Sequence, residues 1–177
     1  MNNAKYYAGS VVKTSAHYFV DANEIIQSVD DLRIAWAVGG KKYPSCPQTG
    51  GGTLHGRCLN ANSISIELCD AKKDGAYAPD ARTVERALAL TRELMKKYNI
   101  PNSNVIRHFD VTGKLCPAYW SGKGSAGKWE SEFHGKLAEP DYREMLKKRA
   151  GLEERTMDYL AAYQYGGDLI RKLATMK

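Results

Sequence analysis

Long hydrophobic runs are missing from this chain of 177 residues. No apolar stretch approaches the roughly 20 residues that a membrane-spanning helix requires. The opening residues, MNNAKYYAGS, contain no apolar segment of the kind that secretory signal peptides carry. We therefore expect neither a membrane span nor a secretory leader. The composition, 43% hydrophobic and 26% charged, is typical of a globular domain.

Cysteine is sparse and forms no recognisable metal motif. The four cysteines include no CxxC pair, which argues against a closed zinc knuckle. Four cysteines in a chain of this length are also too few for a disulfide scaffold. A bridge between Cys46 and Cys58, across a glycine-rich stretch, remains an alternative, because spacing alone does not establish whether the two Cα atoms are close.

Signatures of several other function classes are absent as well. The chain has no GxSxG nucleophile elbow, and GKGSAGK (122–128) lacks the Lys-Ser/Thr ending of a P-loop. Catalysis by a Cys–His pair stays open, although no family-type signature surrounds Cys69 or Cys116. No zinc-finger spacing, RRM signature or Arg-rich arm is present, so no nucleic-acid partner is expected. The net charge of +6 nevertheless favours anionic partners and keeps nucleic-acid binding as a minor alternative.

Three segments have the composition or alternation of strands. SAHYFVD (15–21) is aromatic and β-branched, and NSISIELCD (62–70) alternates, with its isoleucines and leucine on one face and Glu67 on the other. The alternation predicts that the apolar face of this second strand lies in the core. NVIRHFDV (104–111) predicts a further strand that ends near His108. Shorter strand or turn elements are expected at 23–29 and 31–40, and a loop at 43–56.

Helical patterns follow the second predicted strand. Residues 81–100 repeat apolar positions near a period of 3.6, with Asp80 or Thr83 available as N-cap. A short basic helix is predicted over 139–151, and two short helices over 154–177 with a break at Gly166-Gly167. The order of elements predicts an α/β fold with a mixed central sheet flanked by helices, and a small helical C-terminal extension.

The histidine and cysteine of RHFDVTGKLCP (107–117) carry a candidate metal site. A neutral imidazole from His108 and a thiolate from Cys116 are donors that suit zinc. Catalytic zinc usually has three protein ligands and one water, whose pKa falls to about 7. A chance pairing of a strand histidine with a semi-buried cysteine is the other interpretation.

Four further side chains fit such a site, each with an ordinary structural alternative. Glu67 is a candidate general base, or a carboxylate on a solvated sheet face. Lys114 is a candidate for stabilising an oxyanion, or a solvent-exposed loop lysine. His17 and Trp36 fit a substrate-binding wall, although core packing is the commoner fate of a strand tryptophan.

Four blocks occur in a fixed order in this sequence: SAHYFVD, IAWAVGG, NANSISIELCD and VIRHFDVTGKLCPAYW. Together they resemble the zinc-dependent N-acetylmuramoyl-L-alanine amidases of the type-2 amidase and peptidoglycan-recognition superfamily, in particular phage endolysins and bacterial autolysins. The resemblance implies hydrolysis, by a zinc-activated water, of the amide between N-acetylmuramic acid and L-alanine in peptidoglycan. It also implies action at the bacterial cell wall, either outside the cell or after release from a host cytoplasm. Anionic wall polymers are a further expected partner, given the positive charge.

The resemblance assigns a role to each candidate residue. Its metal is Zn²⁺. The expected zinc ligands are His108 and Cys116, the catalytic residues Glu67, Lys114 and His17, and the substrate-binding residue Trp36.

The family's first zinc ligand is a histidine in an opening strand, and its block would precede NNAKYYAGS. Neither that strand nor its histidine is found, and His55 and His134 do not match it. The sequence therefore predicts an amidase-like domain over 1–135, incomplete at its N-terminus, and a helical extension over 136–177. A peptidoglycan-binding module that has lost the first ligand and hydrolysis is the alternative.

Overall fold

A computed structural model describes residues 13–69, 71–73, 76–122, 124–138 and 140–176. Contacts between residues divide the chain into two compact units, with the boundary between Lys136 and Leu137. None of the helices in the described ranges combines the length and the apolar composition needed to cross a membrane.

A mixed three-stranded sheet forms the centre of the first unit. Strand β1 (Tyr18–Val20) is fully buried and lies in the middle. It pairs antiparallel with β2 (Ile25–Gln27) and parallel with β3 (Ile66–Leu68), placing Phe19 opposite Glu67. A separate antiparallel pair comprises β4 (Ala71–Lys73) and β5 (Ala76–Ala78).

The helices of the first unit differ greatly in length. Short 3₁₀ segments occur at Asn60–Asn62, Asn102–Asn104 and Ala118–Trp120, and a π-helical segment at Glu130–His134. A further 3₁₀ segment, Gly135–Ala138, includes the boundary between the units. The α-helices are α1 (Cys46–Thr49), α2 (Ala81–Tyr98), α3 (His108–Thr112) and α4 (Ala126–Trp129). With the mixed sheet, these helices confirm the predicted α/β fold.

Helix α2 forms as its sequence predicts and packs against the sheet. The side chain of Asp80 accepts a hydrogen bond of 2.9 Å from the backbone N–H of Arg82, which caps the start of the helix. Asn99, with a positive φ of 53°, ends it. The face with Ala87 and Leu88 is buried, and α2 contacts both β1 and β3.

The strand predicted over 104–111 is wrong, because the chain turns into helix α3 at His108. The carboxylate of Asp110 accepts a hydrogen bond of 2.8 Å from the backbone N–H of Arg107, which caps the helix start. Gly113, with φ of 83°, ends the helix after five residues. Phe109 and Val111 are both buried, so their spacing of two imitates strand alternation.

The described residues of the second unit include three α-helices: α5 (Tyr142–Ala150), α6 (Glu154–Ala162) and α7 (Gly166–Thr175). Leu146, Met157, Ile170 and Ala174 form its core. The predicted break at Gly166-Gly167 is wrong in position, because the gap lies at 163–165 and Gly166 opens α7. A Cβ atom on Gly166 would lie 2.1 Å from the carbonyl oxygen of Leu160, so the turn leaves no space for a side chain.

A cluster around Asp31 ties the loop after β2 to the end of α2. Its carboxylate accepts hydrogen bonds from the hydroxyls of Tyr18 and Tyr98 at 2.5 and 2.6 Å. Lys97 and Gln27 donate at 2.9 and 3.0 Å. Burial by itself raises the pKa of Asp31, but the hydrogen bonds from the two tyrosines and the lysine outweigh it and lower that pKa from 3.8 to about 2.

We expect Asp31→Asn to lower the free energy of unfolding at neutral pH by about 2 kcal/mol, which is the free energy that this pKa shift represents. A carboxylate with a depressed folded pKa contributes its full stabilisation above its unfolded pKa. That stabilisation is lost as the pH falls through the folded pKa. The difference between wild type and variant therefore shrinks between about pH 4 and about pH 2, as denaturant unfolding at several pH values would show.

Asp30→Asn is the matched control, because Asp30 is exposed and its carboxylate accepts only a local hydrogen bond of 2.8 Å from the backbone N–H of Leu32. Its effect on stability should be well below that of Asp31→Asn. Equal stability of wild type and Asp31→Asn at neutral pH would contradict the account of this cluster.

Candidate functional site

A tight turn after α3 returns the chain to the start of that helix. His108 is the first residue of α3, and Gly113 reverses the chain after Thr112. The carbonyl of Cys116 then accepts a hydrogen bond of 3.0 Å from the backbone N–H of Phe109. The backbone of Cys116 is thereby fixed beside the residue that follows His108, and both candidate ligands are half-buried.

The glycine-rich loop at 43–56 binds the carbonyl groups of α3. A short helix without tertiary support is marginal, so these bonds hold α3 in place. A Cβ atom on Gly113 would lie 2.3 Å from the sulfur of Cys46, so glycine is required there by space as well as by its positive φ. The bonds run from the N–H groups of Tyr43, Gly52 and Leu54 to the carbonyls of Thr112, Phe109 and Asp110, at 2.8 to 2.9 Å.

The alternative of a Cys46–Cys58 disulfide is wrong, because neither of these two cysteines forms a disulfide. Cys46 is buried under α3, where its thiol donates to the carbonyl of Thr112 at 3.4 Å. This contact gives Cys46 a packing role in place of a covalent one.

Sequence reasoning missed an ion pair that shapes the same turn. The guanidinium of Arg107 donates to both carboxylate oxygens of Asp110, at 2.7 and 3.1 Å. It also donates to the carbonyl of Trp120 at 2.6 Å. Both charged side chains are largely buried, so losing one partner would leave an uncompensated charge. The signal in the sequence was the i,i+3 spacing of Arg and Asp next to a histidine.

One cavity of about 1030 Å³ brings four of the six candidate residues together. Glu67 from β3, His108 from α3, and Lys114 and Cys116 from the turn all line its wall. The size matches that of pockets that bind small molecules or a short peptide.

The predicted burial of the β3 segment is wrong in one respect. Ile64, Ile66 and Leu68, on the face predicted to lie in the core, are half-buried and line the same cavity. Glu67, on the opposite face of the strand, lines it too. Both faces of this segment therefore contribute to the cavity wall, which makes the wall largely apolar around the polar candidates.

The electrostatics of the cavity favour a neutral imidazole. Burial lowers the pKa of His108 below its usual value of 6.5, and the positive charge of Lys114 lowers it further. The ring is therefore uncharged at neutral pH, which is the form that binds a metal ion.

His17 is buried, with 1% of its surface exposed, and does not belong to the wall of this cavity as the described residues define it. Its Nδ1 accepts a hydrogen bond of 3.0 Å from the backbone N–H of Ser65, so its Nε2 carries the proton. Nε2 donates to the carbonyl of Arg33 at 3.0 Å. Both nitrogens are used within the fold, and this geometry gives no support to the predicted contact with an oxyanion.

Trp36 has a fixed backbone and an exposed ring. Its N–H donates to the hydroxyl of Ser15 at 2.9 Å, and its carbonyl accepts from the N–H of Ser15 at 3.1 Å. The residue is 58% exposed and lies outside the cavity wall defined by the described residues. The structure thus excludes core packing for this tryptophan.

The described residues supply two donors that fit zinc. An imidazole and a thiol at the same end of α3 have the chemistry that zinc prefers. Within the described ranges, no group of three histidine, cysteine or acidic side chains is positioned to hold a metal ion. His108 and Cys116 therefore fit the metal by type, and one protein ligand fewer than usual is present in this part of the chain.

Comparison with known proteins gives consistent matches. CwlL of Bacillus licheniformis, an N-acetylmuramoyl-L-alanine amidase, is 32% identical over 127 residues, which are 68% of this chain and 32% of CwlL. BlyA of Bacillus subtilis strain 168, also an N-acetylmuramoyl-L-alanine amidase, is 34% identical over 125 residues, 67% of this chain and 32% of BlyA. The chain thus spans about a third of the length of these curated relatives.

Solved structures match over a larger share. PlyL superimposes with a TM-score of 0.57 and 28% identity, covering 77% of this chain and 73% of PlyL. The catalytic domain of XlyA gives a TM-score of 0.56 and 26% identity, covering 77% of this chain and 74% of that domain. Residues 1–119 match the Amidase_2 family, described as N-acetylmuramoyl-L-alanine amidase. The chain belongs to this family of type-2 amidases.

Proposed function

We propose that the first unit hydrolyses the amide between N-acetylmuramic acid and L-alanine in peptidoglycan. The observation that carries the proposal is the shared cavity of Glu67, His108, Lys114 and Cys116. Family membership and the amidase names of CwlL and BlyA support the choice of bond. The site of action would be the bacterial cell wall.

Glu67 is the proposed general base. It lies half-buried in the cavity wall, and a carboxylate that faces a reacting water is a common general base. It removes the proton of the attacking water and returns it to the leaving amine of L-alanine. The apolar side chains around it limit competing water.

Lys114 is the proposed stabiliser of the tetrahedral oxyanion. Lys114 lines the cavity wall, and its positive charge contributes, after burial, to the lowered pKa of His108. His108 and Cys116 would hold a zinc ion. A bound zinc ion polarises the scissile carbonyl and lowers the pKa of water.

Trp36 is the proposed contact for the sugar. The ring is exposed and its backbone is already held by two hydrogen bonds to Ser15, so it is available to stack on a sugar. The net charge of +6 would add attraction to anionic wall polymers.

A peptidoglycan-binding module without hydrolysis is the second candidate. The observation in its favour is that the described residues contain no group of three side chains positioned to hold a metal ion. Turbidity loss of purified cell walls with added zinc separates the two candidates, because only hydrolysis clears the suspension.

We expect Glu67→Gln to reduce hydrolysis of purified walls by about 10²- to 10⁴-fold, because glutamine retains the shape of the side chain but cannot accept the proton. Binding to the same walls should change little. Glu24→Gln is the matched control, since Glu24 is exposed on the β1–β2 turn, and it should retain wild-type activity. Full activity of Glu67→Gln would remove the general base from the proposal.

We expect Cys116→Ser to weaken zinc binding by at least about tenfold, because a hydroxyl is a poorer zinc ligand than a thiolate. Equilibrium dialysis measures the affinity, and the thiolate-to-metal absorption band of the cobalt-substituted protein should disappear. Cys58→Ser is the control, because Cys58 lines the same cavity and is not a proposed ligand. An unchanged cobalt spectrum in Cys116→Ser would show that this sulfur does not bind the metal.

A further inference from the structure

The cavity wall carries more positive charge than its own carboxylates neutralise. Arg33 and Arg57 line the cavity together with Lys114, and all three residues are exposed to solvent. Within the described ranges, none of the three cations forms an ion pair. The proposed mechanism gives Lys114 a role and leaves the two arginines without one.

In the described part of the chain, two carboxylates line the same wall, and neither forms an ion pair with these two arginines. Glu67 is the proposed general base. Asp31 is bound by Lys97 at 2.9 Å and by two tyrosine hydroxyls, so its charge is already compensated. Arg107, a fourth cation of the wall, is compensated by Asp110. A molecule that enters the cavity therefore meets two arginines whose charge the described wall leaves uncompensated.

The backbone under Arg33 is fixed by hydrogen bonds. The carbonyl of Arg33 accepts from Nε2 of His17 at 3.0 Å, and its N–H donates to the carbonyl of Asp30 at 2.9 Å. His17 is buried and is held in turn by Ser65 beside β3. His17 thus acts as a positioning residue for the loop that carries Arg33.

The backbone under Arg57 is fixed in a similar way. Its carbonyl accepts from the amide of Asn62 at 3.0 Å. Asn60, in the same 3₁₀ segment, accepts from the N–H groups of Ala37 and Val38 at 3.1 and 2.9 Å. These two bonds join the segment that follows Arg57 to the segment that follows Arg33, so both arginines project from braced loops.

We infer that Arg33 and Arg57 bind a carboxylate of the peptide part of the substrate, so that the cavity selects acidic muramoyl peptides over amidated ones. This inference rests on the proposed function, since it concerns the occupant of the same cavity. Guanidinium groups are suited to carboxylates because they donate two parallel hydrogen bonds. Phosphate groups of wall polymers share the anionic chemistry, but the arginines line the cavity with Glu67 and His108, which favours an anion on the cleaved molecule itself.

The test compares two muramoyl-L-alanyl-glutamate peptides that differ only in free carboxylates against carboxamides. Their dissociation constants are measured by titration calorimetry on the full chain carrying Glu67→Gln, with zinc present, so that turnover does not interfere. We expect the acidic peptide to bind about tenfold tighter, and its affinity to fall with added salt. Adding Arg33→Gln or Arg57→Gln should remove most of that preference and leave the amidated peptide unaffected.

Lys96→Gln serves as the charge-matched control, because Lys96 is exposed on α2 and lies outside the cavity wall. It should not alter either affinity. Circular dichroism and thermal unfolding check that each variant is folded, which is expected for exposed arginines.

Each other outcome has a distinct meaning. If neither peptide binds, the proposed function fails and this inference fails with it. If both peptides bind equally, or the arginine variants leave the preference intact, the inference is overturned while the proposed function stands. If the arginine variants weaken binding only to intact walls, and not to walls stripped of anionic polymers or to free peptides, the arginines serve the polymers and the inference is again overturned.

Discussion

The hydrogen bond from the backbone of Phe109 to the carbonyl of Cys116 is the contact on which the site depends. It closes a loop of eight residues, so that the backbone of Cys116, beyond the end of the helix, lies beside the residue that follows His108 at its start. Three features hold α3 in the conformation that this bond requires. Asp110 caps the helix start, Gly113 reverses the chain, and the loop at 43–56 donates hydrogen bonds to the helix carbonyls. The chemistry of the cavity is therefore a consequence of local backbone geometry.

Around this turn the protein uses polar contacts of high sequence separation to fix otherwise irregular segments. His17 joins β1 to the loop of Arg33, Asn60 joins two loops, and Asp31 joins a loop to α2. With strands of only three residues, the sheet supplies few ladder bonds to neighbouring loops. The hydrogen bonds of these side chains replace those ladder bonds and fix the arrangement of the loops.

The general fold could be predicted from the sequence, because alternation and helical period are local signals. The grouping of Glu67, Lys114, His108 and Cys116 in one cavity was implied by the resemblance to the amidase family. The conformation at 104–111 could not, since burial of Phe109 and Val111 produces the same alternation in a helix that is capped by Asp110. The hydrogen-bonding position of His17 could not be predicted from the sequence either. Its partners Arg33 and Ser65 lie 16 and 48 residues away, and no spacing rule links such positions.

The glycine-rich loop at 43–56 has the composition of a mobile flap, yet its hydrogen bonds make it a fixed wall. Three of its N–H groups and the thiol of Cys46 donate hydrogen bonds to carbonyls of α3. Moving this segment away from α3 would break those hydrogen bonds, at a free-energy cost of about 1 kcal/mol or more for each. Any opening that admits a ligand to the cavity therefore has to come from segments other than this one.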